Sequence, residues 1–414
     1  MGKLPYYDVI VVGAGPGGAT AAYELANAGI SVLIIDKEKF PRYKPCGGGL
    51  SLKIDKILNI DIKETIENTI KGAYFSYKQK EGVFLLSDKP VAYMVMRDRF
   101  DSLLLSEAVK SGASFIDESH VKGISNGKNG YEIFVNKNPS PLPSPLRGEG
   151  WVKGGFSGDK VYNCKYVIGA DGANGIVRRF LYPGIKRTLA ASIEAEIPVD
   201  EELTDNHSHY VHIDFGVIPY GYAWVFPKKG FLSAGIAGFK GVAKHPKRYF
   251  EQFINGHSKI NGTTEYKYKG HPIPIFNKPL NLTKGGVMLV GDAGNLVDPF
   301  FGEGIYYAIR SSQIASTVVS EAIIKGKTDL SGYDTKLSTE FYPEFMAAQQ
   351  ISQFVYTFPR IWFNVLSDRP ELAEQYYNVL RGENRYSIFL KEIKSIAGSL
   401  MKTALKKGFL QLFK

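Results

Sequence analysis

Near its N-terminus the chain runs Asp8-Val9-Ile10-Val11-Val12-Gly13-Ala14-Gly15-Pro16-Gly17-Gly18, continues through a stretch rich in Ala, Glu and Leu to Asn27, and then reads Ile30 to Asp36. The apolar run of residues 8–12 suits a strand buried on both faces. The stretch after the glycines has helix-forming composition, and Gly29 stops it. A second apolar run ends at Asp36, so the unit reads strand, glycine turn, helix, strand. Its glycines fall where a Rossmann-type dinucleotide site needs them. Gly13 permits the tight turn, Gly15 lets the backbone approach a pyrophosphate, and Gly18 lets helix and strand pack closely. Ala14, Pro16 and Gly17 complete the turn, and the helix N-terminus offers free N–H groups and a positive dipole to phosphate. Asp36, eighteen residues beyond Gly18, stands at a strand end where its carboxylate accepts hydrogen bonds from ribose hydroxyls.

The same grammar returns twice. Residues 160–168 read as a strand leading into Gly169-Ala170-Asp171-Gly172, and Met288-Leu289-Val290 leads into Gly291-Asp292-Ala293-Gly294. Between these, residues 186–280 alternate apolar and polar residues in short runs, as an antiparallel sheet does. A long helix is expected over 303–325 and mostly helix beyond it. The expected fold is mixed α/β and α+β: a Rossmann-type nucleotide-binding domain interleaved with an antiparallel-sheet substrate domain, plus a helical C-terminal part. The nucleotide-binding segments are 1–90, 91–185 and 281–330, the sheet domain is 186–280, and the helical part is 331–414. Residues 136–158, dense in Pro, Gly and Ser, read as a low-complexity insertion in a hairpin.

Composition narrows the classes. With 44% hydrophobic and 22% charged residues, the chain has the apolar material for a sizeable core. Its two cysteines, Cys46 and Cys164, allow at most one disulfide, which points to a reducing, cytoplasmic setting. The N-terminus lacks a signal-peptide pattern, position 6 is Tyr where a myristoylation site needs Ser or Thr, and no run reaches the ~18 apolar residues of a membrane span. The net charge of +10 is dispersed and accompanied by no nucleic-acid motif, so no nucleic-acid partner is expected. From Arg385 to Lys414 there are seven basic residues and one acid, with Phe389, Ile393, Ile396, Leu400 and Leu405 near helical spacing. That pattern suits peripheral contact with an anionic membrane face, or a helix packed on its own protein. His207, His209 and His212 have neither helical i, i+4 spacing nor a Cys or acid cluster nearby, so no metal site is expected.

Three further stretches carry a resemblance. They are Pro45-Cys46-Gly47-Gly48-Gly49-Leu50, then Pro219-Tyr220-Gly221-Tyr222-Ala223-Trp224-Val225-Phe226-Pro227-Lys228 with Ala234-Gly235 after it, and Asp298-Pro299-Phe300-Phe301-Gly302-Glu303-Gly304-Ile305. With the two Gly-Asp turns they make residues 5–325 similar to the geranylgeranyl reductase family of FAD-dependent oxidoreductases, within the aromatic-hydroxylase-like superfamily. The resemblance implies FAD as cofactor. It places Asp292 on the ribityl chain and Asp171-Gly172 near the pyrophosphate. Cys46, Gly47 and Gly48 come beside the flavin, and Gly302, Gly304 and Ile305 bring backbone N–H groups to its ring. Arg99, in Arg97-Asp98-Arg99-Phe100-Asp101, matches an arginine that approaches FAD; the other reading is a salt bridge to Asp98 or Asp101.

The implied activity is reduction of C=C bonds in a geranylgeranyl or other isoprenoid group, with hydride from reduced flavin and a proton from Cys46, Tyr222 or a water. Tyr222, Trp224 and Phe226 alternate along a strand and share one face, either as a tunnel wall or as an ordinary core stripe. Cys46 is a proton donor, a redox partner or a small filler, and Lys228 approaches a phosphate or the flavin or is a surface lysine. No second Gly-x-Gly-x-x-Gly follows a strand, so the electron donor is NAD(P)H bound transiently or a reduced ferredoxin-like partner. An FAD monooxygenase or halogenase is the alternative, although Trp224-Val225-Phe226-Pro227 lacks the second tryptophan of the halogenase pattern.

Overall fold

The computed structural model describes residues 5–137, 160–185, 187–200, 209–239, 245–257, 260 and 266–407, with side chains of the last helix as far as 396. Tyr6–Val12 is central to a sheet of eight strands. It pairs in parallel with Val32–Ile35 on one side and Lys160–Gly169 on the other. Ser114–Ile116 continues the sheet beyond Val32–Ile35, and Val287–Leu289 beyond Lys160–Gly169. Successive residues Val9, Ile10 and Val11 are all fully buried, so both faces of this strand are covered, as its unbroken apolar run requires. The register sets Val12 opposite Gly169 and Gly169 opposite Leu289. All three glycine turns therefore leave the sheet at its carboxyl edge, where open parallel sheets form their ligand crevices. Helices Pro16–Asn27 and Ile305–Ile324 both begin at that edge and pack against each other.

A second sheet has seven strands, in the order Tyr268–Ile273, Ala190–Pro198, Phe231–Gly238, Gly221–Lys228, Tyr210–Phe215, Gly72–Tyr77, Glu81–Leu86. The last two correct the boundaries drawn from sequence, which gave 1–90 wholly to nucleotide binding. They form a hairpin whose inner strand pairs in parallel with Tyr210–Phe215, more than a hundred residues away. A three-stranded sheet of Gly49–Ser51, Ala92–Val95 and Ile66–Ile70 lies beside them. The insertion expected at 136–158 falls, from 138 onward, outside the described residues, as does His207.

The C-terminal helices Tyr342–Thr357, Pro359–Asp368, Glu371–Leu380 and Tyr386–Lys407 close over the second sheet. Here the apolar stripe of the last helix has its explanation. Tyr386, Phe389 and Ile393 are buried in the protein's own core, so this part of the stripe is not a membrane-facing surface. No helix among the described residues is long and apolar enough to cross a membrane.

The glycine turn is sterically fixed. A methyl group on Gly18 would overlap the carbonyl oxygen of Gly13, and Gly13 itself has φ +99°. Gly18→Ala is expected to destabilise the fold by about 1–3 kcal/mol, as overpacking does, and to lower the melting temperature. An unchanged melting temperature would show that the turn yields freely.

Candidate active site

A cavity of about 670 Å³ runs from the carboxyl edge of the first sheet to the inner face of the second. The first sheet contributes Gly13, Gly15, Pro16, Gly17, Asp36, Asp171, Gly172 and Asp292 to its wall. Ala14 and Gly18 are not part of the wall. Ala14 N donates to Asp36 Oδ2 (2.6 Å), and Gly18 packs on Gly13 and Ala170. Asp36 is held by a second backbone donor, Glu38 N (2.9 Å), and burial raises its pKa against both bonds. Each of its oxygens retains a second acceptor lone pair for a hydroxyl. Asp171 Oδ2 accepts from Val177 N (3.0 Å), capping the helix Ile176–Leu181, and burial pushes the group up to about 6. The Asp292 carboxylate has no hydrogen-bond partner among the described residues and borders the cavity.

The loop after Asp36 crosses between the sheets and carries Arg42, Lys44, Cys46, Gly47 and Gly48, all in the wall. Gly48 has φ +74°, and its carbonyl accepts from Val95 N (2.9 Å). A Cβ on Gly47 would lie 2.8 Å from the Phe226 ring and 3.2 Å from Trp224 Nε1, so glycine lets this loop press flat onto the aromatic strand. Cys46 is half-buried; its sulfur accepts from Gly48 N (3.4 Å), and the Arg97 guanidinium lies close enough to feel its charge. Arg97 lines the cavity and grips Asp101 through Nε and Nη2 (both 2.8 Å), while Arg42 Nη2 reaches the same carboxylate at 3.1 Å. Burial works against the Arg97 charge, but Asp101 and Cys46 outweigh it and its pKa is raised.

Arg99, the arginine selected from sequence, does not reach the cavity. It lies on the surface, paired with Glu67 (2.5 Å) and the Glu64 carbonyl (2.7 Å). Two residues along a helix correspond to a rotation of about 200°, so Arg97 and Arg99 face opposite ways. The overlooked signal was Asp101, one helical turn from Arg97.

The second sheet supplies the floor. Tyr222, Trp224 and Phe226 all border the cavity. The Tyr222 hydroxyl donates to the Phe301 carbonyl (2.6 Å), which ties the strand to the loop bearing Gly302, Gly304 and Ile305, also in the wall. The Trp224 indole N–H is buried and has no acceptor among the described residues. Lys228 is neither at the surface nor in the cavity wall: it is buried, paired with Glu196 (3.3 Å), and lies against Gly48. The sequence reading also missed Glu194, Tyr43 and His271, which complete the floor. Tyr43 donates to Glu194 Oε2 (2.5 Å) and Ser233 to Oε1 (3.2 Å). Burial nevertheless pushes Glu194 up to about 7. At the far end Tyr376 and Leu380 of the C-terminal helices close the cavity. His212 stands apart from it, buried and bonded to Ser76 (2.7 Å) and His257 (2.9 Å).

These features suit FAD. The first turn of Pro16–Asn27 has no side-chain cap, so its N–H groups are open to a pyrophosphate, and Gly15 has only Arg42 within reach of a Cβ. Asp36 would hold the ribose and Asp292 the ribityl hydroxyls. Fold and site together define an FAD-binding oxidoreductase. The FAD binding domain family matches residues 6–215. The chain is 32% identical over 387 residues to an uncharacterised protein of Methanosarcina barkeri, covering 92% of each. It is 31% identical over 338 residues to the digeranylgeranylglycerophospholipid reductase of Thermoplasma volcanium, covering 77% of this chain and 78% of that one. The crystal structure of a geranylgeranyl bacteriochlorophyll reductase-like protein from Thermoplasma acidophilum superposes with a TM-score of 0.77 at 25% identity, over 95% of this chain and all of that one. The chain belongs to the geranylgeranyl reductase family of FAD-dependent oxidoreductases.

Two measurements test the site. Arg97→Met is expected to weaken FAD retention by about tenfold or more, as loss of a buried charged hydrogen bond does, whereas Arg99→Ala leaves it unchanged; equal effects on bound flavin per chain would refute the distinction. Glu194 is more basic folded than unfolded, so its contribution to stability is fully present below pH 4.5 and is lost as pH rises through about 7. Glu194→Gln should therefore gain stability relative to the native chain between those values, by on the order of 3 kcal/mol at most. A pH-independent difference in melting temperature would contradict it.

Proposed function

We propose that this protein is an FAD-dependent reductase that saturates C=C bonds of a geranylgeranyl-type isoprenoid chain carried on a lipid. The observation that carries the reading is the continuity of one cavity, from a dinucleotide cradle into an end walled by Tyr222, Trp224, Phe226, Phe301, Tyr376 and Leu380. Such an aromatic-rich end accepts a long apolar chain. The relative named as a reductase of digeranylgeranylglycerophospholipid supports the same substrate class.

When bound, FAD supplies the hydride chemistry. The chain's own residues orient and protonate. Gly47 and Gly48 would let the backbone lie against a planar ring, and the Phe301–Ile305 loop, fixed by Tyr222, would offer it backbone N–H groups. Because the Tyr222 hydroxyl is committed to the Phe301 carbonyl, Cys46 is the better proton source, its sulfur held by Gly48 N. Electrons enter from outside the chain, from a reduced pyridine nucleotide or a ferredoxin-like carrier.

Anaerobic turnover tests the proposal. With flavin reduced by dithionite, geranylgeranyl diphosphate or a geranylgeranylated lipid should gain about two mass units per double bond as the flavin reoxidises. No gain without oxygen, but about sixteen units or a halogen added once air and halide are admitted, would assign the protein to oxygen-using flavoenzymes instead.

A further inference from the structure

The floor of the cavity is divided by its own strand register. Across the second sheet Trp224 stands opposite Gly235, Gly235 opposite Glu194, and Glu194 opposite Lys269. One row along, Tyr222 stands opposite Ala237, Ala237 opposite Ser192, and Ser192 opposite His271. Paired residues share a face of the sheet. The inward face therefore has an aromatic lane on Gly221–Lys228, a lane of small residues on Phe231–Gly238, and a polar lane on Ala190–Pro198 and Tyr268–Ile273. The loop after Asp36 adds Tyr43 and Lys44 over the polar lane.

Neither lysine of that region makes an ion pair among the described residues. Lys44 has three N–H donors, and its single hydrogen-bond partner among the described residues is His271 Nε2 (3.2 Å). Lys269 lies over the Tyr43 ring, 4.4 Å from its centroid. Among the described residues no carboxylate oxygen comes within 4 Å of either ammonium. Burial, then Arg97, lowers the Lys44 pKa; burial, then Lys44, lowers His271 to about 4. An anion arriving between them would reverse both effects. Of the nearby carboxylates, Glu194 is already bonded by Tyr43 and Ser233, Asp101 by Arg97 and Arg42, and both Asp101 and Asp292 act on Lys44 only at longer range. Lys269 and Tyr43 are exposed, so the lane opens to solvent at the mouth of the cavity.

We infer that Lys44, Lys269 and His271 bind the phosphate of the substrate's head group, so that the aromatic lane receives the isoprenoid chain with its polar end held at the mouth. The inference rests on the isoprenoid reading and adds the residues that select a phosphorylated amphiphile. The cofactor's pyrophosphate would be served separately, by the N-terminus of Pro16–Asn27 at the edge of the first sheet, with Arg42 of the crossing loop beside Gly15.

FAD-loaded protein would be titrated with geranylgeranyl monophosphate, geranylgeraniol and inorganic phosphate, binding being followed by tryptophan fluorescence and flavin per chain by absorbance. The native protein should bind the monophosphate about tenfold or more tightly than the alcohol, as a charge-assisted contact provides. In Lys44→Gln/Lys269→Ser that preference should vanish while the affinity for the alcohol and the flavin content persist; Lys269→Ser alone, at an exposed position, should reduce it. A preference that survives in the double variant overturns the inference. So does loss of flavin with the preference intact, which would give the lysines to the cofactor, and so does inorganic phosphate binding as tightly as the prenyl phosphate. Equal binding of alcohol and monophosphate by the native protein overturns this inference alone. Failure of both prenyl ligands to bind overturns the isoprenoid reading and the inference together.

Discussion

One buried carboxylate organises this site. Asp101 is wholly excluded from solvent and receives two guanidiniums, Arg97 from its own helix and Arg42 from the loop after Asp36. A lone buried carboxylate is costly, and so is a lone buried guanidinium. Together the three groups pair and leave a surplus positive charge at the cavity wall, with Arg42 Nη1 lacking a hydrogen-bond partner among the described residues. The same contact ties the crossing loop to the helix Arg97–Lys110. The positions of Cys46, Gly47 and Gly48 follow from it, since they hang on a loop held at one end by Arg42 and at the other by the Gly48–Val95 hydrogen bond.

The loop also explains why the site is composite. One sheet offers strand ends and helix N-termini, which suit phosphate and ribose; the other offers a broad pleated face, which suits an apolar chain. Neither alone encloses a cavity. The loop passes between them with glycines against the Phe226 ring and the Trp224 indole and with Tyr43 on Glu194. The two-sheet contact is thus a ligand-sized gap with a fixed spacer.

How much of this was legible in the sequence depended on the range of the interaction. The glycine turns and the acids Asp36, Asp171 and Asp292 follow from local spacing, and the structure sets their parent strands side by side. The alternation of Tyr222, Trp224 and Phe226 announced a shared face. By contrast, the hairpin Gly72–Leu86 looked like part of the nucleotide-binding segment because its pairing with Tyr210–Phe215 is decided by tertiary contacts. Glu194 and His271 drew no attention because an isolated acid or histidine in a strand means nothing until the register sets the strands Ala190–Pro198 and Tyr268–Ile273 edge to edge. Arg99 was preferred to Arg97 because motif matching is blind to helical phase, which a helix converts into opposite faces. The terminal stripe of Phe389 and Ile393 shows the ambiguity of amphipathic helices: periodicity says that one face is covered, never by what.

The closed end of the cavity is built from a different part of the chain than the rest of it. Tyr376 and Leu380 belong to Glu371–Leu380, and the Tyr377 hydroxyl fastens that helix to the Leu85 carbonyl of the hairpin (2.6 Å). On the proposed isoprenoid reading, the depth available to a hydrocarbon tail is therefore a separate structural parameter, a molecular ruler whose stop is one helix seated on one hairpin. On that reading, chain-length preference can drift through the residues of that helix while the residues at the glycine turns stay as they are.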